Sequence, residues 1–346
     1  MTPLKSKRYF VQEHLLRNNI YDGGIGNKDI ERVLIKEGFK PLLFPFHFDF
    51  SLKAKIMRSF YLFRLLFALP SRAVIVFQFP LYARIHQLLI RMLGRCRPDL
   101  QLICFITDID GLRDGDQHLL RKEIRFLKSL RLFIVHNKAM ADWLLQQNSQ
   151  AKTAAVGFFD FLAEPFTGTR QKSHSLAFAG NLDKSDFVKH LQDVQGLVFH
   201  VYGPMNSRII TESSVVLYHG VLQPQDLPEN LQGSFGLIWD GDSVAGLSGV
   251  SGDYNQYNSP HKLSLYMLAG LPVIAHENAG VAALIRQYGI GFTVQSLPEI
   301  EQRISLVSEV DYQEMRRNCL HLAGLISKGR CLPEALAQLT NSSSAQ

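Results

Sequence analysis

The sequence predicts an α/β protein of two domains that face each other across a cleft. Three observations carry this reading. The chain has 346 residues, which suits about two domains of roughly 150 residues each. Short, nearly all-apolar runs alternate with helical periods, the pattern of a parallel sheet covered on both faces. The alternation pauses at one Gly-, Pro- and Ser-bearing stretch, Gly157–Ser175, and then restarts.

In the first half, Ala73–Phe79 (AVIVFQF), Leu102–Thr107 (LICFIT) and Leu132–His136 (LFIVH) read as buried strands, with helical periodicity over Tyr82–Arg95 and Gly115–Leu130 between them. In the second half the strand-like runs are Leu176–Ala179, Leu197–Tyr202, Val215–His219, Phe235–Trp239 and Pro272–Ala275. Lys184–Gln192 and His261–Ala269 read as helices among them. Tyr312–Lys328 and Leu332–Leu339 are helical pieces, and Asn341–Gln346 reads as a frayed tail. Folds of this kind bind ligands in the cleft, at the C-terminal ends of the strands.

Composition narrows the class. With 46% hydrophobic and 20% charged residues the chain can bury ordinary cores. The net charge of +6 is uneven: residues 1–165 hold 25 Lys+Arg against 15 Asp+Glu, and residues 166–346 hold 12 against 16. A basic first half suits an anionic partner such as phospholipid or a lipid diphosphate. Nucleic acid is disfavoured, because the basic residues lie within α/β periods and no aromatic-basic stacking motif appears. The four cysteines form no CxxC pair and have no zinc-spaced histidine, so they read as free thiols of a reducing compartment.

The basic start Met1–Arg8 is not followed by an apolar run with a cleavage site. The longest apolar stretch, Phe60–Pro70, is interrupted by Arg64 and falls well short of the ~20 residues that span a bilayer. The expectation is a cytoplasmic protein, soluble or lying on the inner face of the plasma membrane. Lys53–Leu69 is apolar nearly all round, with Lys55, Arg58 and Arg64 among the apolar residues. Arg84, Arg91 and Arg95 share one helical face, and Arg121, Arg125 and Lys128 share another. These segments read either as peripheral membrane contacts or as solvated faces of core helices.

The segment Asn258–Val273 (NSPHKLSLYMLAGLPV) carries the most chemistry. Pro260 suits a helix start, where its missing N–H costs nothing. His261 and Lys262 then fall in the first turn, where a cation opposes the helix dipole. A bound diphosphate would explain them, since free N–H groups and the positive helix end favour phosphate. An ordinary helix start with solvated side chains is the alternative. Gly180–Asn181, Tyr202–Gly203, Gly220–Leu222 and Trp239–Asp240 end four strands, and such ends admit a nucleotide to the backbone or serve structure alone. Asp108 and Asp110 follow Leu102–Thr107 and face the cleft, as general-base candidates or as a turn cap paired with Arg113. Gly23, Gly24 and Gly26 precede the helix Asn27–Lys36 but fail the dinucleotide fingerprint, because Asp29 stands at its third position.

The run from Lys262 through YMLAGLPVIAHENAG to YGIGFTV (Tyr288–Val294) resembles the donor region of GT-B glycosyltransferases. LAFAGNLDKSDF (Leu176–Phe187), YHGVL (Tyr218–Leu222) and FGLIWDGDS (Phe235–Ser243) narrow the resemblance. They match the bacterial family of β-1,6-galactofuranosyltransferases and of glucosyltransferases that extend sugars on serine-rich-repeat adhesins. GGIGNKDIERVLIKEGF (Gly23–Phe39), VFQFP (Val76–Pro80), CFITDIDGLR (Cys104–Arg113), IVHNKAM (Ile134–Met140) and VGFFDFL (Val156–Leu162) agree with it. There are departures. Tyr257 and Leu265 stand where many retaining GT-B enzymes carry two glutamates, which fits inversion. Thr107 replaces the histidine of the family's HD motif, and Lys184 stands in for a phosphate-binding arginine without its bidentate fork.

The resemblance implies a GT-B fold of two Rossmann-like domains. Residues 1–160 would bind acceptor, residues 170–325 the nucleotide sugar, and residues 326–346 would form a C-terminal helix and tail packing back on the first domain. It implies transfer of galactofuranose or glucose from a UDP-sugar to a glycan or lipid-linked glycan acceptor, with inversion and without metal or other cofactor. Asp108 and Asp110 are the implied catalytic residues. Gly180, Asn181, Lys184, Tyr202, Gly203, Gly220, Val221, Leu222, Trp239, Asp240, Asn258, Pro260, His261 and Lys262 would hold the donor. Gly24, Gly26, Asn27 and Arg113 would face the acceptor. A homo-oligomer is left open. A non-catalytic accessory subunit of a glycosyltransferase complex and a sugar-nucleotide epimerase remain the alternatives.

Overall fold

A computed structural model describes residues 7–15, 24–45, 49, 51–205 and 213–341. Gly23 and the tail beyond Asn341 lie outside the described residues.

The first half contains β1 (Arg8–Val11), α1 (Gly24–Lys36), β2 (Lys40–Leu42), α2 (Leu52–Ala68), β3 (Val74–Phe79), α3 (Arg84–Cys96), β4 (Gln101–Ile106), α4 (Asp110–Arg113), α5 (Gln117–Leu127), β5 (Leu132–Val135), α6 (Lys138–Gln147) and β6 (Lys152–Ala155). Its six strands run parallel in the order β2-β1-β3-β4-β5-β6. The central strand β3 is buried at all six residues, as a parallel strand covered on both faces must be. One face packs around Phe77, Leu89, Phe126 and Leu144, the other around Phe10, Ile30, Val33 and Phe105.

The second half contains β7 (Ser175–Ala179), β8 (Val198–Tyr202), β9 (Val216–Tyr218), α7 (Leu227–Asn230), β10 (Phe235–Ile238), α8 (Gly249–Asn255), α9 (His261–Leu268), β11 (Val273–His276), α10 (Ala282–Tyr288), β12 (Gly291–Val294), α11 (Ile300–Leu306), α12 (Glu309–Ile326) and α13 (Cys331–Asn341). Its strands are also all parallel, in the order β12-β11-β10-β7-β8-β9. This is the doubly wound dinucleotide-fold order, with the reversal between β7 and β10. The first sheet reverses between β1 and β3. A reversal splays the connecting loops apart and leaves a crevice at the strand ends.

The two halves are closely tied. The helix α13 returns to the first sheet, where Leu332, Ala335, Leu336 and Leu339 join Ile30, Val33 and Ala154 in one core. The segment 156–174, extended and without regular structure, is pinned along its path. The Asp160 carboxylate accepts the N–H groups of Cys331 at 2.9 Å and Leu332 at 3.0 Å, and so caps α13. Asp29 on α1 accepts the Leu162 N–H at 3.0 Å.

Boundaries agree with the sequence to one or two residues at most strands. Two differences have physical causes. Lys184–Gln192 forms two short 3-10 turns, Leu182–Lys184 and Asp186–Asp193, because Asn181 caps the first and Ser185 breaks the run. The strands β1 (RYFV), β2 (KPL), β6 (KTAA) and β12 (GFTV) were not foreseen; each is only three or four residues long, and β2, β6 and β12 lie at sheet edges.

Candidate functional site

Two adjoining cavities open where the strand ends of the two sheets meet. They share Asp108, Arg113, Lys184 and His261. The larger, of about 710 Å³, lies against the second sheet, and the smaller, of about 330 Å³, lies against the first. The combined space is of the size that small-molecule sites occupy.

Glycine geometry builds the wall of the larger cavity. Gly203 has φ +132°, and a Cβ there would fall 1.8 Å from the Gly180 carbonyl oxygen. Only glycine lets the ends of β7 and β8 approach so closely. The Gly180 N–H donates to Tyr202 O at 3.0 Å, and the Gly203 N–H to Gly220 O at 2.9 Å. Gly180, Asn181, Tyr202, Gly203, Val221 and Leu222 therefore form one surface of the cavity. Tyr202 is a buried wall residue: its ring stacks on His219, and its hydroxyl bonds Asn230 and Gln232.

The helix α9 points its start at this cavity. Pro260 provides no side-chain cap, so the first-turn N–H groups keep their positive end open. The Lys262 ammonium stands 4.5 Å over the Phe178 ring, and a Cβ on Gly180 would lie 3.7 Å from its Nζ. Its carboxylate neighbour is Asp240, at 3.4 Å. Lys184 lines both cavities from the opposite rim.

His261 behaves differently from its neighbour. It is half-buried against Phe159 and Phe161, and desolvation pushes its pKa below the usual histidine value. Desolvation disfavours a charge on this ring in the free protein. Gly26 is the reason it fits: a Cβ there would fall 2.5 Å from the His261 ring. The glycine admits this ring, and so joins α1 to α9.

The junction of the cavities is a charged cluster. Arg113 binds Asp108, and it also reaches Asp110 at 2.8 Å and Asp114 at 2.8 Å. These bonds, that to Asp114 first, hold the guanidinium firmly charged. Asp108 also accepts the Ile109 N–H at 3.0 Å. The turn-cap role and the Arg113 pairing are both present. Tyr254, from α8 in the other half, accepts the same Ile109 N–H at 3.1 Å and is hydrogen-bonded to Asp108. Asp110 lines neither cavity; burial raises its pKa, and its N–H is held by Glu123. Glu123 also accepts from Gly111 at 2.8 Å, and burial pushes its pKa up to about 7.

The smaller cavity is lined by Gly26, Asn27, Tyr82, Thr107, Asp240, Asn258 and Pro260, among others. Three buried atoms on its wall have no hydrogen-bond partner among the described residues: His136 Nε2, Asn258 Oδ1 and His261 Nε2. His136 Nδ1 accepts the Ser259 N–H at 3.0 Å, so the ring proton sits on Nε2.

Two further sequence expectations change. Trp239 is fully buried in the second core, gives its indole N–H to Ser243 O at 2.9 Å, and lines neither cavity. Gly220 also lines neither cavity; its carbonyl accepts the Gly203 N–H beyond the ends of β8 and β9. His136, Tyr254 and Ser259 were missed. His136 ends β5, and the strand-end rule that selected Asp108 would have selected it too. Tyr254 and Ser259 reach the site only through tertiary contact.

Burial holds His136 neutral, with its pKa down at about 4. Its stabilising contribution is present above the ordinary value of 6.5 and is lost as pH falls toward 4. This loss is on the order of 3 kcal/mol. His136→Asn should lose correspondingly less stability over the same interval, measured by denaturant unfolding at both ends. An equal acid loss in both proteins would refute it.

Comparisons with known proteins place this site in a family. Residues 14–158 match the family described as Glucosyltransferase 3-like, N-terminal domain, and residues 176–339 match its C-terminal domain. The chain is 29% identical to the beta-1,6-galactofuranosyltransferase WbbI of Escherichia coli K12 over 82% of this chain and 84% of that one. It is 25% identical to Glucosyltransferase 3 of Streptococcus parasanguinis over 69% and 71%. Among solved structures, sucrose-phosphate synthase from Thermosynechococcus elongatus aligns with TM-score 0.65 at 11% identity, over 98% of this chain and 100% of that one. Anabaena HepE, solved with UDP and glucose, aligns with TM-score 0.61 at 13% identity over 99% and 100%. The two family domains follow one another over the two sheets, and the solved neighbours share that fold: the chain is a GT-B glycosyltransferase of the Glucosyltransferase 3-like family.

Proposed function

We propose that the protein transfers a hexose, galactofuranose or glucose, from a UDP-sugar to a glycan acceptor, with inversion and without a metal ion, on the cytoplasmic side of the membrane. The observation that carries this is the placement of Lys262. Its ammonium lies over the glycine strand end of β7, at the reversal of the second sheet, beside an uncapped helix start. That is where a nucleotide diphosphate gains most from the fold. The relatives' names, galactofuranosyltransferase and glucosyltransferase, and the UDP held by HepE supply the sugar and nucleotide classes.

In this reading the acceptor lies in the smaller cavity, which Asp108 and Asn27 line. The acceptor oxygen attacks the anomeric carbon, and the bond to the β-phosphate oxygen breaks as UDP leaves. Asp108 takes the hydroxyl proton. Arg113 can yield Asp108 at that moment, because Asp110 and Asp114 still hold it. Lys262, Lys184 and the α9 N–H groups meet the charge that grows on the leaving diphosphate, the role a metal plays elsewhere. Leu265 lines the donor cavity where a retaining enzyme carries a carboxylate, which supports a single displacement.

Four outcomes follow. UDP should raise the melting temperature of the native chain, since a ligand of the folded state stabilises it. Lys262→Ala should lose most of that rise while its own unliganded melting temperature stays close to wild type. An equal rise in both would remove Lys262 from the donor site. Asp108→Asn should keep the UDP-induced rise but lower kcat by about 10²- to 10⁴-fold; unchanged kcat would assign the base elsewhere. UDP release in the presence of acceptor should persist in EDTA, and its loss would overturn the metal-free mechanism.

A further inference from the structure

The helix α2 has two apolar faces, and its own fold uses one. Ala54, Leu62, Leu65 and Leu66 are buried in the first core. Leu52, Ile56, Phe60, Phe63 and Phe67 recur at steps of four, four, three and four, on the opposite side of the helix. These five are 56% to 85% exposed. A stripe of this length with three phenylalanines is not a scatter of single surface apolar residues.

The charge around the stripe is of one sign. Lys53 and Arg64 lie along one flank and Lys55 along the other, all exposed. The helix α2 has four Lys or Arg residues and no Asp or Glu, and its neighbour α3 has three Arg and no Asp or Glu. Asp49, just before α2, acts on Arg58 alone among these cations. At 17 residues the helix is about 25 Å long, and among the described residues no helix is long and apolar enough to cross a membrane. A helix with phenylalanines between flanking cations suits the headgroup boundary, with rings at the acyl chains and ammonium groups at the phosphates.

We infer that α2 docks the protein on an anionic membrane surface, inserting Leu52, Ile56, Phe60, Phe63 and Phe67. The charge argues against a second copy as the occupant. A two-fold interface brings the same patch against itself, and here that would press the α2 cations of each copy together with only Asp49 beside them. The position gives docking a purpose. The strand β2 ends at the cleft side of its parallel sheet, so α2 begins there, and α3 begins there too, just after Tyr82 of the smaller cavity. A bilayer under α2 would bring that cavity close to an acceptor carried on a lipid. Docking itself stands apart from the transferase reading, because it is measured without turnover.

The test is co-sedimentation of the full chain with vesicles of phosphatidylcholine alone and with about 30 mol % phosphatidylglycerol, at low and high salt. The wild-type chain should bind the anionic vesicles and bind less at high salt. Phe60→Ser/Phe63→Ser/Phe67→Ser should weaken binding by about tenfold or more, with its melting temperature confirming that it still folds. Lys53→Glu/Lys55→Glu/Arg64→Glu should remove the preference for anionic vesicles. No binding by wild type, or equal binding by a folded serine variant, would overturn the inference. So would a serine variant that changes only the oligomeric state in sedimentation velocity, because the stripe would then be a contact between copies.

Discussion

Everything at the site depends on a short set of hydrogen bonds between the two halves of the chain at Ser259. Its N–H donates to His136 Nδ1 at 3.0 Å, and its hydroxyl bonds the Asn137 side chain at 3.0 Å. Both bonds are buried, where a lost partner costs more than the bond itself contributes. His136 and Asn137 end β5 of the first sheet, whereas Ser259 sits just ahead of α9. The helix that presents Lys262 is therefore positioned by the opposite domain. The His261 ring against Gly26 and the Ser264 hydroxyl bound to Phe159 O extend the same seam. Lys262 and Asp108 keep their separation because the seam fixes it.

The seam also sorts charge. Histidines within it are neutral by burial, so they position and donate without adding positive charge. The fixed cations, Lys262, Lys184 and Arg113, stand at the edges of the cavities where a diphosphate could reach them. Arg113 is surrounded by three carboxylates, and Tyr254 crosses from the other half to the same Asp108 loop. Any opening between the halves would strip Tyr254 from that loop and change the field at Asp108. The carboxylate and the closure of the cleft are coupled through one hydroxyl.

Much of this was legible in the sequence, and the reason is local. Buried parallel strands are continuous apolar runs, so β3, β4, β5, β8 and β10 announce themselves. Their C-terminal ends are then known, and Asp108, Gly180, Gly203 and Asp240 fall at the cleft by that rule alone. The start of α9 was legible because a proline followed by cations is an unusual helix start. The rule fails where side-chain direction matters. Trp239 ends β10 as expected, but its ring turns into the core toward His276, and no spacing reveals that. His261 sits beside Lys262 in sequence, yet one packs on Phe161 and the other reaches Gly180. Adjacent residues on a helix diverge by about 100°, so the two present different groups to the cavities.

The departure at Thr107 acquires a physical meaning in this setting. Its hydroxyl donates back to Phe79 O at 3.0 Å, tying the end of β4 to β3. A side chain so engaged supplies no proton carrier to Asp108. An imidazole comes instead from the end of the neighbouring strand: His136 lines the same small cavity as Thr107 and Asp108, its ring held against the Thr107 and Ile106 backbone. A histidine beside the aspartate is thus retained in space while it is lost in sequence. Because Ser259 occupies Nδ1, this imidazole cannot take up a second proton without breaking the seam.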